Sequence, residues 1–357
     1  MSLTLLIDGN WLALSRMAVL TKGFQKSNPD IVKQETAKEF KELLAKSISI
    51  MLNRFNCIDN IILISDGGSW RKSLPIPKCL EVTYKGNRGK TFQELDFDVI
   101  FGSFGEFISH CKEIGITCSS SVNCEGDDWV WYWSRRLNSQ GINTMIWSSD
   151  NDLKQLVQKD SCGAVTVWYN DKNGLFLHNS LNEDISDLDF FLKGDPTNPI
   201  IQELNRVTKT PPHYINPDDI VLSKVFCGDS GDNIKSIVRY NKKGRTYNFS
   251  PKDFEKVSSE LQIHSIQDLL TNYANISNYV IKMKKFSPYD IKLSDVFEML
   301  VYNTKLVWLN ESMIPDTVIQ QMNNCEYKRY DISNIKHNYK LLLEEDDSIL
   351  NIFEGIS

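Results

Sequence analysis

Nine carboxylates stand where the chain leaves a strand or enters a helix. Asp8 closes LLIDGN, Asp66 closes ILISDGG, and Glu125, Asp127 and Asp128 crowd into CEGDDWVWYWSRR. Asp150 and Asp152 follow in MIWSSDND, and Asp229 and Asp232 share VFCGDSGDNIKS. A single aspartate after a strand is most often a helix cap or a turn residue. Capping does not explain acids after four successive strands, paired or tripled at two of them. Like charges within a few ångströms force protonation unless cations neutralise them. All-oxygen donors without histidine or thiolate suit magnesium or manganese rather than zinc.

Cations recur near these acids. GGSWRKSLPIP holds Arg71 and Lys72, and VTYKGNRGK holds Tyr84, Lys85, Arg88 and Lys90. A further run, IKSIVRYNKKGR, holds Lys235, Arg239, Lys242, Lys243 and Arg245, which could track a duplex backbone. Fixed positive groups beside metal-bound carboxylates are what a phosphodiester needs as negative charge develops on phosphorus. The net charge of -6 argues against a polyanionic partner at first sight. Removing the nine acids from the 46 present leaves 37 against 40 basic residues, or +3 for the remainder, and the objection lapses.

The elements that must position these groups alternate. Strand patterns at 4–8, 60–65, 116–121, 143–148 and 164–169 are interleaved with helical periodicity at 35–55, 94–114, after Asp128 and from about Asp152. Such alternation predicts an α/β fold, a central mostly parallel sheet flanked by helices, with the acids at the carboxyl ends of the strands where ligands bind. From about 190 the texture becomes Pro-rich, and then helices are expected at 217–227, 251–262, 265–285 in two pieces and 290–304. Residues 1–192 are thus read as a catalytic domain, 193–326 as a mainly helical DNA-binding domain and 327–357 as a tail. With 357 residues the chain can bury two cores.

The set IDGNW, ISDGGSWRK, YKGNR, EGDD, SSDNDLKQLV and CGDSGDNIKS resembles the flap endonuclease and 5′ to 3′ exonuclease superfamily, PIN-like nucleases, and most closely its bacteriophage branch of the T4 ribonuclease H type. The resemblance implies a magnesium-dependent, structure-selective nuclease that removes RNA primers and DNA flaps at replication forks. It assigns Asp8, Asp66, Glu125, Asp127, Asp150 and Asp152 to metal binding, and Asp128, Asp229 and Asp232 to binding directly or through water. Two Mg2+ ions are implied, with Mn2+ able to substitute. Lys85 and Arg88 match the basic pair at the foot of an arch, here about 84–105, that contacts the scissile phosphate.

Two departures stand out. Gly126 replaces the alanine of EADD. The glycine-rich helix-turn-helix-like element that follows GDxSDNI, with its bound potassium ion, is reduced here to NIKSIVRYNKKGR, so duplex contact is expected from side-chain cations and the potassium site is weakened. Implied partners are forked, flapped or nicked duplex DNA and RNA-DNA hybrid, with single-stranded-DNA-binding protein and a sliding clamp as protein partners; the protein is expected to be a monomer.

Eight scattered cysteines without a CxxC pair fit a reducing cytoplasm, the host cytoplasm if phage-encoded. No apolar run is long enough for a membrane span. A PIN-type ribonuclease and a non-catalytic branched-DNA-binding module are the competing readings. The latter requires a lost carboxylate, and none is missing; a haloacid-type phosphatase requires a second aspartate that IDGNW lacks. The aromatic run Trp129, Trp131, Tyr132, Trp133 is expected to anchor the acids on the sheet, with at least one ring near the surface because successive helical residues turn by about 100°.

Overall fold

The computed structural model describes residues 2–21, 29–81, 83–86, 97–181, 199–208 and 210–343. In chain order the first elements are β1 (Leu3–Asp8), α1 (Gly9–Thr21), α2 (Pro29–Arg54), β2 (Ile58–Ile64), α3 (Phe97–Glu113) and β3 (Thr117–Ser119). They are followed by α4 (Gly126–Asn138), β4 (Asn143–Trp147), β5 (Gln158–Lys159), β6 (Val165–Asn170), β7 (Gly174–His178), α5 (Pro199–Val207) and β8 (His213–Ile215). The rest is α6 (Pro217–Cys227), a hairpin of β9 (Arg239–Lys242) and β10 (Arg245–Asn248), then α7 (Pro251–Leu261), α8 (Ile266–Lys282), α9 (Leu293–Val307), α10 (Asp316–Asn323) and α11 (Ser333–His337).

Hydrogen bonding orders the sheet β3-β2-β1-β4-β6-β7-β8, with β5 on β6. β1 pairs in parallel with β2 and with β4, and β2 in parallel with β3, so the four acid-bearing strands are neighbours ending at one edge. The chain reverses its winding between β1 and β4, the switch point where open α/β sheets bind ligands. β7 runs antiparallel to β6, and β8 joins parallel to β7.

Strand periodicity assigns the faces. Leu3, Leu5 and Ile7 of β1 enter one core with Leu12 of α1, Phe40 of α2 and Phe104 of α3. Leu6, Ile62, Ile64 and Ile146 point the other way, onto Trp129, Val130 and Trp133 of α4. A separate core joins α6 to α9 through residues such as Val225, Phe226, Leu269, Val280 and Leu300.

Several details differ from the sequence reading. All four aromatics of α4 are buried, between 0% and 8% exposed, because Leu309, Ile314, Val318 and Met322 cover the side of the helix that turns away from the sheet. The helix expected from about 152 is a 3-10 segment, Asn151–Leu156, and α8 is continuous from its Ser265–Asp268 capping box. Between α6 and α7 the chain forms a loop and then the β9–β10 hairpin.

Segments beyond the divisions expected near 192 and 326 also pack with the sheet. Ile200, Ile201 and Leu204 of α5 pack with the sheet, as do Ile332, Ile335 and Leu342. Thr4, Asn60 and Thr117 are buried polar side chains that need partners. Residues from the expected tail supply them: the Tyr327 hydroxyl lies 3.3 Å from Thr4 Oγ1 and accepts from Asn60 Nδ2 at 2.8 Å, and the Lys328 carbonyl accepts from Thr117 Oγ1 at 3.1 Å.

Candidate metal centre and nuclease site

The strand-end acids meet because two loops interlock. Gly67 N–H donates to the Cys124 carbonyl at 2.9 Å and the Gly67 carbonyl accepts from Asn123 N–H at 2.8 Å. A Cβ on Gly67 would lie 1.9 Å from the Ser121 carbonyl oxygen, so only glycine permits this approach. It brings Asp66 against the start of α4, where Oδ1 accepts from Gly126 N–H at 2.5 Å while Asn10 Nδ2 donates to Oδ2 at 2.8 Å.

Across the switch point, Asp8 accepts from Ser148 Oγ at 2.6 Å and from Trp11 N–H at 3.0 Å. Burial pushes the Asp8 carboxyl up to about 6 despite those hydrogen bonds, and Asp150 and Asp66 add repulsion. Asp127 is raised well above the usual carboxylate range, first by burial and then by Asp150, with Glu125 and Asp8 contributing. Asp8, Asp66, Glu125, Asp127 and Asp150 are therefore electrostatic neighbours. Asp150 caps the 3-10 segment by accepting from Asp152 N–H at 2.8 Å, and its carbonyl accepts from Trp168 Nε1 at 3.1 Å.

Ammonium groups separate the remaining acids. Lys85 pairs with Glu125 and stands 3.8 Å from Asp232. Lys224 bridges Asp152 and Asp229, the latter at 2.5 Å. Burial would raise Glu125, but the Arg71 and Lys85 cations overcome it and hold its carboxyl below the usual value. Asp229 is likewise lowered: burial opposes, and Lys224 prevails. Among the described residues no three carboxylates converge into a ready cage for one ion.

The donor set nevertheless fits hard divalent cations. It is all oxygen, two of its acids are held toward protonation by burial with neighbouring acids adding to it, and two others share a lysine ammonium standing between them. Asp127, Asp152 and Asp232 also line a cavity of about 10 Å³, together with Tyr84 and Gln155.

Three of the residues expected at substrate or metal take other positions. Arg71 is 2% exposed, donates to Glu125 at 2.8 Å and to both oxygens of Asp128, and its Nε donates to the Leu306 carbonyl at 3.0 Å. It is closed off from a phosphate. Asp128 is fully buried, its oxygens taken by Arg71 and by Trp70 Nε1 at 3.0 Å. Tyr84 is 6% exposed, and its hydroxyl donates to Glu125 and Asp232 at 3.3 Å, so its ring offers no stacking face.

Lys72 is exposed, and Lys235 donates to Asn233 Oδ1 at 2.6 Å. Arg239, Lys242, Lys243 and Arg245 are exposed on the hairpin. Arg88, Lys90 and the middle of the expected arch, 87–96, lie outside the described residues.

The foot of the arch is sewn to the Asp229–Asp232 loop. Lys85 N–H donates to the Asp232 carbonyl at 2.8 Å and Asn233 Nδ2 to the Thr83 carbonyl at 2.8 Å. Lys85 itself adopts a left-handed φ of 55°, a strained conformation for a lysine beside a functional site. The sequence reading missed Lys224 and Trp168. Neither is marked by spacing: Asp229 follows Lys224 by five residues, beyond the end of α6, and Trp168 lies inside a buried strand.

A mostly parallel sheet whose switch edge gathers carboxylates next to a basic loop foot defines a nuclease of the PIN-like α/β class. The chain belongs to the 5′-3′ exonuclease family, within the flap endonuclease and 5′-3′ exonuclease superfamily: the family model for the 5′-3′ exonuclease N-terminal resolvase-like domain matches residues 3–186. A 5′-3′ exonuclease of Mycoplasmopsis pulmonis is 23% identical over 363 aligned positions, covering 96% of this chain and 95% of the relative. Solved structures from bacteriophage T5 share the fold. The 5′-exonuclease with bound zinc superposes with a TM-score of 0.52 at 16% identity, over 90% of this chain and 98% of that one. The T5 flap endonuclease in a pseudo-enzyme-product complex with DNA and metal ions gives 0.53 at 16% identity, over 94% and 100%. Among the described residues no helix is long and apolar enough to cross a membrane.

Proposed function

We propose that this chain is a magnesium-dependent, structure-selective 5′ to 3′ exonuclease and flap endonuclease that hydrolyses phosphodiesters in RNA primers and DNA flaps at replication forks. The observation that carries the reading is the gathering of Asp8, Asp66, Glu125, Asp127 and Asp150 at one sheet edge, with Lys85 held against Glu125.

Asp8, Asp66, Glu125, Asp127, Asp150 and Asp152 would hold two divalent ions, with Asp229 and Asp232 supporting them directly or through water. When bound, such ions supply Lewis-acid charge to the phosphate and lower the pKa of an attacking water. The protein's own groups do the remaining work. Lys85, on its strained turn, offers an ammonium to the scissile phosphate, and Arg88 would add a second cation from the arch. Arg71 and Trp70 hold Asp128 at the start of α4, which orients Glu125 and Asp127. Trp168 fixes the Asp150 carbonyl and so the loop carrying Asp150 and Asp152. No side-chain general base is required, in keeping with the absence of histidine from every motif.

Purified protein with Mg2+ should cut a 5′-labelled forked duplex into short 5′-phosphorylated products, and EDTA should stop it. Comparing RNA with DNA arms on the same flap gives the preferred substrate. Failure on flapped, nicked and RNA-primed substrates alike would overturn the reading.

A further inference from the structure

Two arginines, Arg135 and Arg136, stand in the last turn of α4, where cations complement the negative end of a helix dipole. That role leaves their surroundings unexplained. Val318 and Met322 of α10 cover the outer side of α4. Beside them lies a cavity of about 500 Å³, within the roughly 300–1,000 Å³ of sites that take small molecules. α4 lines it with both arginines, Trp131 and Tyr132, and α10 with Ile319 and Asn323. Glu311, ahead of α10, is the acid of the lining.

The two arginines differ in what already holds them. Arg136 Nη1 donates to the Tyr132 hydroxyl at 2.7 Å and to the Cys325 carbonyl at 3.2 Å, and its guanidinium lies over the Trp133 ring, 5.1 Å from the centroid. The Tyr132 hydroxyl in turn donates to Asn323 Oδ1 at 3.2 Å, so this side of the cavity is preformed. Arg135 is half-buried, and its Nη1 is sealed from solvent with no hydrogen-bond partner among the described residues. Burial pulls its guanidinium down to about 10, with Asp160 opposing only in part. Neither arginine has a carboxylate within ion-pair distance among the described residues. A withdrawn cation is costly unless an anion or acceptor meets it, and here it borders an open cavity.

The charge of the lining selects the ligand. Two arginines against one glutamate leave a net +1, which suits a single anionic group. An acidic peptide tract would meet repulsion from Glu311, and tracking a nucleic-acid backbone takes a longer series of cations. Guanidinium forks suit the oxygens of a phosphate. Trp131, Tyr132 and Ile319 offer an apolar wall to a flat body, while Glu311 can accept from amino groups or hydroxyls and Asn323 can donate. One phosphate, a flat heteroaromatic body and hydroxyls together describe a nucleoside 5′-monophosphate, which is also the smallest product that digestion from a 5′ end can release.

We infer that the cavity between α4 and α10 binds a nucleoside 5′-monophosphate, with the phosphate on Arg135 and Arg136 and the nucleoside against Trp131, Ile319, Glu311 and Asn323. The site is separate from the acidic edge: Arg135 stands nine residues after Gly126, about 14 Å along the helix axis. The nuclease reading supplies only the source of the ligand, and the test does not depend on cleavage.

The experiment is isothermal titration calorimetry of the full chain in EDTA with adenosine 5′-monophosphate, adenosine, inorganic phosphate and a tetra-aspartate peptide. Adenosine 5′-monophosphate should bind one to one, and the other three should bind at least about tenfold more weakly, since each lacks part of the complementary set. Arg135→Gln should weaken binding of the nucleotide by about tenfold or more. Ser139→Trp, at an exposed position of the lining, should obstruct the cavity and weaken binding similarly with an unchanged Tm, which guards against a folding artefact. Asp150→Asn, at the acidic edge, should bind the nucleotide as wild type does. Absence of binding, phosphate or tetra-aspartate binding as tightly as the nucleotide, or wild-type affinity in both Arg135→Gln and Ser139→Trp overturns the inference. Loss of binding in Asp150→Asn would also overturn it by placing the nucleotide at the acidic edge. Should the wild type bind the nucleotide as described yet cut nothing with Mg2+, the nuclease reading fails and the nucleotide site stands.

Discussion

The Arg71 guanidinium and the Asp128 carboxylate meet in a double hydrogen bond sealed from solvent, Nη2 to Oδ1 at 2.7 Å and Nη1 to Oδ2 at 2.9 Å. Breaking a buried pair by removing one partner leaves an uncompensated charge and costs about 3 to 5 kcal/mol. Arg71→Met should therefore lower unfolding free energy in denaturant titrations by that amount, because Asp128 and Glu125 both lose their main cation. Adding Asp128→Leu to it should restore part of the loss. A single variant within about 1 kcal/mol of wild type would show that the pair does not hold the start of α4.

Crowding among Asp8, Asp127 and Asp150 predicts that divalent metal stabilises the fold even without substrate. A ligand that binds only the native state adds about 2.7 kcal/mol at a hundredfold excess over its Kd. Mg2+ should raise Tm progressively with concentration, and Mn2+ should do the same. In Asp150→Asn the metal-dependent rise should shrink, while the metal-free Tm should be higher than that of wild type, since the repulsion on Asp8 and Asp127 is relieved. An equal Tm rise in the variant would remove Asp150 from the ligand set.

How much of this could be seen in the residues alone depends on how local each cause is. The acids at the ends of β1, β2 and β4 were legible because period-two patterning fixes where a strand ends, and parallel neighbours end on one side. The hairpin was legible in principle, since KG lies between RYNK and RTYN, a two-residue turn between short strands. The burial of Arg71 was not. A cation beside a loop looks solvated until the start of α4 and the end of α9 close over it, and both arrive from distant parts of the chain. Lys224 and the return of Tyr327 to Thr4 and Asn60 are of the same kind, set by tertiary packing and unmarked by spacing.

Stability should also fall on acidification through α7. Asp253 closes a capping box with Ser250, accepting from its N–H at 2.8 Å and its hydroxyl at 2.6 Å, and it pairs with Lys285. Burial would raise this carboxyl, but Lys285 and the Ser250 donors prevail and hold it below its ordinary 3.8. A group depressed in the folded state stabilises fully above its unfolded value and loses that contribution as pH falls through the folded one. Wild type should therefore lose stability below 3.8 in part through Asp253. Asp253→Asn should lose about 1 kcal/mol at neutral pH, as a weakened cap does, and show a shallower acid limb in denaturation curves taken at successive pH values. Parallel acid limbs in the two proteins would exclude the assignment.

Gly126 occupies the place of the alanine in the related EADD motif, and the geometry gives it a reason. Its N–H donates to Asp66 Oδ1 at 2.5 Å, and a Cβ built there would lie 2.9 Å from that same oxygen and 3.6 Å from Ile64 Cγ2. Glycine to alanine in a helix ordinarily adds up to about 1 kcal/mol of stability. Here the methyl group must push the Asp66 carboxylate, which Asn10 holds from the other side at 2.8 Å, or lose the Gly126 hydrogen bond. Gly126→Ala should therefore gain less than about 0.5 kcal/mol in thermal or chemical denaturation, because the propensity gain is offset by the displaced carboxylate. It should also raise the Mg2+ concentration needed for half-maximal cleavage several-fold, with the rate at saturating Mg2+ less affected, since Asp66 is moved and not removed. The full stability gain with unchanged Mg2+ dependence would mean that Asp66 is free to shift without consequence, and would take it out of the metal site.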